Sequence, residues 1–156
     1  MAKWQEASMR MFTPAQQRDE STLWHVVSFP PEGSIQLLEL LKQGLPTDVI
    51  ENIHQWTGIN KADIVQIAGI SGRQVSRRKN GPKTLSPEQS ESIARLVRVM
   101  NAAIALFEDD KEQAIHWLTH PVRALGQTAP ASLISTESGA IAVLNLIGRL
   151  EHGVFS

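Results

Sequence analysis

Apolar residues recur at helical spacing along most of the chain, and nowhere do they alternate with polar ones over the length of a strand. Leu37, Leu38, Leu40 and Leu41 predict a short amphipathic helix ended by Gly44. Val49, Ile50, Ile53 and Trp56 fall at i, i+1, i+4 and i+7, one face of a second helix that Gly58 stops. A third, from Lys61 to Ala68, buries Ile64, Val65 and Ala68, and a fourth runs from Ser71 to Lys79. After the breaker Asn80-Gly81-Pro82, Ser86 caps a long helix, with Pro87 at its first position and Gln89 completing a capping box. Its apolar stripe is Ile93, Leu96, Val97, Met100, Ile104 and Phe107. Asp110 with Gln113 opens a further helix that buries Ala114, Ile115, Trp117 and Leu118 and stops before Pro121. A short turn at 131–134 precedes a last helix, from Thr136, carrying Ile141, Leu144, Leu146, Ile147 and Leu150. The expected fold is all-α.

Three segments follow from this pattern. Residues 1–33, rich in Gln, Ser, Pro and Met, read as an N-terminal arm with at most one short element. Residues 34–107 form a first helical domain and residues 108–156 a second, smaller one. Charge divides along similar lines. Residues 1–60 hold four basic and seven acidic side chains, 61–107 eight and three, and 108–156 three and six. The whole chain carries only −1, so the basic middle between acidic ends is a statement about partners, not about fold.

The basic middle contains Ala-Gly-Ile-Ser-Gly-Arg-Gln-Val-Ser-Arg-Arg-Lys-Asn-Gly-Pro-Lys at 68–83, the turn and second helix of a helix-turn-helix. Gly69 stands where the turn needs a positive φ. Ile70 and Val75 pack the second helix on the first, and Ser71 caps it. Arg73, Gln74, Ser76, Arg77 and Asn80 are then left on or near the outer face. Arg and Gln suit bidentate contact with guanine and adenine edges, while Lys79 and Lys83 suit phosphate. No acid interrupts residues 64–87. The DNA-contacting set expected is Ser71, Arg73, Gln74, Ser76, Arg77, Lys79 and Lys83.

The segment Ala114…Trp117-Leu118…Pro121…Leu125-Gly126…Pro130…Leu133…Thr136…Gly139…Val143…Leu146…Arg149…Gly153 follows the motif and the capped helix. Together they resemble the Xre/MbcA/ParS family of type II antitoxins over roughly residues 35–156. The resemblance implies a toxin partner with an RES domain, which degrades NAD⁺. It also implies that the C-terminal domain covers the toxin's active-site cleft, while the N-terminal part dimerises and binds the operon's own promoter. Gln127 stands where a second glycine often follows Gly126, and Val65 where a smaller residue is common. Arg149, Glu151, His152, Val154 and Phe155, on the last helix and tail, are the candidate toxin contacts, with Phe155 placed to insert into a cleft. The competing expectation is a helix-turn-helix transcriptional regulator whose C-terminal domain senses a ligand or mediates dimerisation.

Several classes are set aside by what the chain lacks. There are no cysteines, so disulfides and thiolate metal sites are excluded. His116 and His120 have a zinc-compatible i, i+4 spacing, but Trp117 occupies the place of a catalytic Glu and no third ligand is suggested. Glu108, Asp109, Asp110 and Glu112 crowd a helix start, where the macrodipole favours them without catalysis. No phosphate-binding glycine loop or nucleophile motif occurs. The expectation is a non-enzyme without metal or cofactor. Residues 1–18 lack the apolar stretch of a signal peptide and no run of 18 apolar residues exists, so a cytoplasmic location is expected.

Overall fold

The longest helix, Pro87–Leu106, carries both halves of the chain. In the computed structural model, which describes residues 23–70 and 84–153, it is the fifth of seven α-helices among the described residues. The others are α1 (Leu23–Val26), α2 (Ile35–Gln43), α3 (Asp48–Thr57), α4 (Lys61–Ala68), α6 (Lys111–Thr119) and α7 (Glu137–Glu151). Two 3₁₀ turns, Arg123–Leu125 and Pro130–Leu133, lie between α6 and α7. Among the described residues extended pairing is limited to single bridges, Pro46 with Thr84 and Val122 with Thr128, so the all-α expectation holds. No described helix is long and apolar enough to cross a membrane.

α5 starts where its local signals require. The Gln89 backbone N–H donates to Ser86 Oγ at 3.1 Å, and the Ser86 N–H donates to Gln89 Oε1 at 2.9 Å, closing the capping box with Pro87 at the first position. The buried surface is wider than the single stripe read from sequence. Ala94, Val99 and Ala103 join Ile93, Leu96, Val97, Met100 and Ile104 in the core. A helix buried over most of its circumference is central, and α1, α2, α4, α6 and α7 all pack on it. Phe107 leaves the stripe as the half-buried residue that ends the helix.

The stretch expected to be an arm enters this core from Leu23 onward. Leu23, Val27 and Phe29 are buried, each fully buried side chain of this kind stabilising the fold by roughly 1.5–3 kcal/mol. Trp24 spans the segment. Its backbone N–H donates to Asn101 Oδ1 at 3.3 Å, its Nε1 to the Pro30 carbonyl at 2.8 Å, and its ring meets Phe29 edge-on at 5.1 Å. An ion pair between Glu32 and Arg98 on α5 holds the same stretch from outside. Continuing along the chain, Ser34 Oγ accepts from the Leu37 N–H and caps α2, whose Leu37 and Leu41 face inward. Ile35 and Leu38 face outward, 69% and 53% exposed.

α3 and α4 are joined by a glycine turn and by charge. Gly58 ends α3 at φ 79°, and Glu51 on α3 pairs with Lys61 at the start of α4. The Lys61 ammonium bonded to it holds the Glu51 carboxyl below the ordinary range, with the Gln55 amide assisting.

Candidate functional site

Two surfaces concern function: the helix-turn-helix and the C-terminal module. In the first, α4 closes on Gly69 at φ 82°, the positive value that the turn was expected to need. The Gly69 and Ile70 N–H groups donate back to the Gln66 and Val65 carbonyls at 3.0 and 2.9 Å, and Ile70 is buried as expected. Val65, expected in the core, is only half-buried, because its place on α4 lies beside the inward row of Ile64 and Ala68. The DNA candidates Ser71, Arg73, Gln74, Ser76, Arg77, Lys79 and Lys83, together with Asn80, lie outside the described residues.

The C-terminal module is built by caps and one tight approach. Asp110 accepts from the Gln113 N–H at 3.2 Å and starts α6. Glu108 and Asp109, grouped by sequence with that helix start, belong instead to the preceding turn. Both adopt left-handed backbone, at φ 53° and 70°. Ala114 and Leu118 are the buried residues of α6. Trp117 and Ile115, expected to be buried, are half-buried, Trp117 lying tilted against Phe107 with ring centroids 6.2 Å apart. After Pro121 the chain turns back through Gly126 and Gln127, at φ 65° and 62°, and Val122 pairs with Thr128. The second left-handed residue is a glutamine, so the turn keeps the geometry that a glycine pair would favour.

Pro130 then opens the short 3₁₀ turn, Ile134 is buried, and Thr136 Oγ1 accepts from the Gly139 N–H at 3.0 Å to cap α7. Gly139 admits no side chain. A Cβ built there would lie 1.9 Å from the Leu133 carbonyl oxygen. α7 buries Ala140, Val143, Leu146 and Ile147 against α5 and the 3₁₀ turn. Of the candidate toxin contacts, Arg149, Glu151 and His152 are exposed at the end of α7, while Val154 and Phe155 lie outside the described residues.

The two halves are locked together by cations that sequence reading did not single out. Arg95 on α5, its side chain 14% exposed, donates from Nε to the Ile134 carbonyl at 2.7 Å. Its Nη2 donates to the carbonyls of Ser135 and Ala68 at 2.9 and 3.2 Å, and its Nη1 lies 3.9 Å from Glu137. Ala68 ends α4, so one guanidinium satisfies an orphan carbonyl of the helix-turn-helix and two carbonyls leading into α7. Beside it a Cβ on Gly69 would approach Ser135 to 3.1 Å. At the other end of the seam, Lys111 of α6 donates to the Trp56 carbonyl at 2.9 Å and sits 4.8 Å above the Trp56 ring. Neither cation announces its role, because the acceptors are main-chain oxygens far away in sequence.

His116 of α6 and His120, the extended residue just past its end, have their rings stacked at 3.8 Å. His120 Nδ1 lies 2.7 Å from the His116 carbonyl, which can only accept, so that nitrogen carries the proton. Among the described residues no group of three or more metal-ligating side chains assembles.

Residues 36–98 match a family model described as the antitoxin Xre-like helix-turn-helix domain. Residues 102–153 match one described as the antitoxin Xre/MbcA/ParS C-terminal toxin-binding domain. A protein named antitoxin Xre from Photorhabdus laumondii is 44% identical over 148 residues, covering 95% of this chain and 100% of its own. Another of that name from Yersinia enterocolitica is 45% identical with the same coverage.

Proposed function

The chain belongs to the Xre family of antitoxins, and on that premise we propose that it neutralises an RES-domain toxin that degrades NAD⁺ and represses its own operon. One observation supports this above others: a helix-turn-helix region and a toxin-binding region are built on the same central helix, α5. The C-terminal module covers the toxin's cleft, with Arg149, Glu151 and His152 at the rim and the tail at Val154 and Phe155 continuing from them. Neutralisation is by occupancy, so the antitoxin itself performs no covalent chemistry. Co-expression of the full chain with the RES-domain protein of its operon is expected to preserve growth and cellular NAD⁺. Collapse of NAD⁺ despite stable expression of both overturns the reading. The full chain is needed because deleting residues 108–156 would bare the α5 surface that α6 and α7 cover.

Promoter binding is assigned to Arg73 and Arg77 as base readers, with Lys79 and Lys83 on phosphates. Arg73→Ala and Arg77→Ala should each weaken specific binding by about 1–3 kcal/mol, measured by gel shift on the operon's own promoter. Unchanged affinity in both variants removes them from base reading.

Self-association is assigned to α2, where Ile35 and Leu38 hold apolar area in solvent. Leu38→Glu is expected to convert dimer to monomer in light scattering coupled to gel filtration. An unaltered mass places the interface elsewhere.

A further inference from the structure

The outer face of α7 departs from what a solvent-facing helix normally carries. Opposite its buried row of Ala140, Val143, Leu146 and Ile147, the positions at helical spacing are Ser138, Ile141, Ala142, Asn145, Gly148 and Arg149. Three of these six, Ile141, Ala142 and Gly148, are apolar or lack a side chain, and the face bears no charge until its last turn. Solvated helix faces are usually charged or polar, whereas the centres of protein interfaces are depleted of charge and their rims are polar. Ile141 is 47% exposed, one of three large apolar side chains so placed among the described residues.

Gly148 sharpens the argument. A glycine inside a helix costs about 1 kcal/mol relative to alanine. Gly139, in the same helix, is excused by the Leu133 carbonyl against it. Gly148 has no such reason among the described residues, where a Cβ there would meet nothing within 4 Å. Its missing side chain makes room for no other described residue, and it lies two turns beyond Ile141 on the same face.

We propose that the toxin docks on this face, seating an apolar surface over Ile141 and bringing its backbone close to the helix at Gly148, with Arg149 at the rim for an acidic partner group. The occupant is fixed by continuity: α7 is the longest element of the region matching a toxin-binding domain, and the face runs directly into the expected rim at Arg149 and His152. The inference rests on the antitoxin–RES reading and adds to it a docking surface upstream of the tail.

The test uses the full chain and the purified RES-domain protein of its operon, with affinity measured by calorimetry and stability by thermal melting. Ile141→Glu is expected to weaken binding about 30-fold or more while leaving the helical signal intact. Gly148→Ala should have opposite signs in the two measurements. It raises the melting temperature of the free antitoxin by roughly 2–4 °C yet weakens binding about tenfold. If the wild-type chain binds and both variants bind within about threefold of it, the docking surface is wrong while the antitoxin–RES reading stands. If the wild-type chain does not bind at all, the reading falls and this surface with it.

Discussion

Replacing Arg95 by methionine is expected to lower the unfolding free energy by about 3 kcal/mol, or roughly 6–12 °C in melting temperature for a chain of this size. Methionine keeps most of the length of the aliphatic stem but cannot donate. The carbonyls of Ile134, Ala68 and Ser135 then lose their shared partner, and hydrogen bonds to a charged group contribute about 1.5–3 kcal/mol each before water recovers part of the loss. Ser135 is exposed and finds water readily, while Ala68 and Ile134 are buried residues and do so poorly. That asymmetry sets the estimate below the sum of three bonds. Arg95→Lys should fall between, because a single ammonium cannot reproduce the planar fork that reaches three acceptors in two elements. Urea denaturation measures both variants. A loss under about 1 kcal/mol for the methionine form would show that the guanidinium is incidental to the junction.

An equally large loss is expected from one methyl group. Gly139→Ala should destabilise the protein by about 3 kcal/mol, because the new Cβ would stand 1.9 Å from the Leu133 oxygen and main chain must move to admit it. The displaced carbonyl belongs to the last residue of the 3₁₀ turn, next to Ile134, whose own carbonyl Arg95 holds. The strain therefore reaches both the cap of α7 and the seam. Alanine's better helix propensity offsets no more than about 1 kcal/mol of this. Thermal melting of Gly139→Ala beside Gly148→Ala isolates the cause, since the same exchange in the same helix should have opposite signs. Equal behaviour of the two would mean that the close approach at Leu133 is relieved at no cost.

Elements whose determinants are local were readable from the chain. Ser86 with Gln89, Asp110 with Gln113, and Thr136 before α7 each place cap and partner within three residues, and the structure returns all three. The apolar stripe of α5 was readable for the same reason. Its full burial was not, because Ala94 and Ala103 are covered by helices distant in sequence. Leu23–Phe29 looked like part of an arm since Pro30-Pro31 interrupts its pattern and its partner, α5, begins more than 50 residues later. Arg95 was illegible as a junction for a related reason: a guanidinium that binds backbone oxygens leaves no complementary side chain to notice. Trp117 misled in the other direction. A large aromatic suggests a buried anchor, but the module fills its core with Ala114, Leu118, Val143 and Ile147 and leaves the indole at the edge. The face of α7 was visible only as an apolar Ile141 among other apolar residues. Three-dimensional burial separates it from Val143 and Ile147.

The sharing of α5 bears on how the protein disappears. With no linker between the region matching a helix-turn-helix domain and the region matching a toxin-binding domain, a protease that unravels either end strips packing from the other. Under the function proposed above, turnover would then not leave a trimmed repressor on the operator, nor a fragment still shielding the toxin. Promoter release and toxin release would fall on a single clock, set by the lifetime of one folded body.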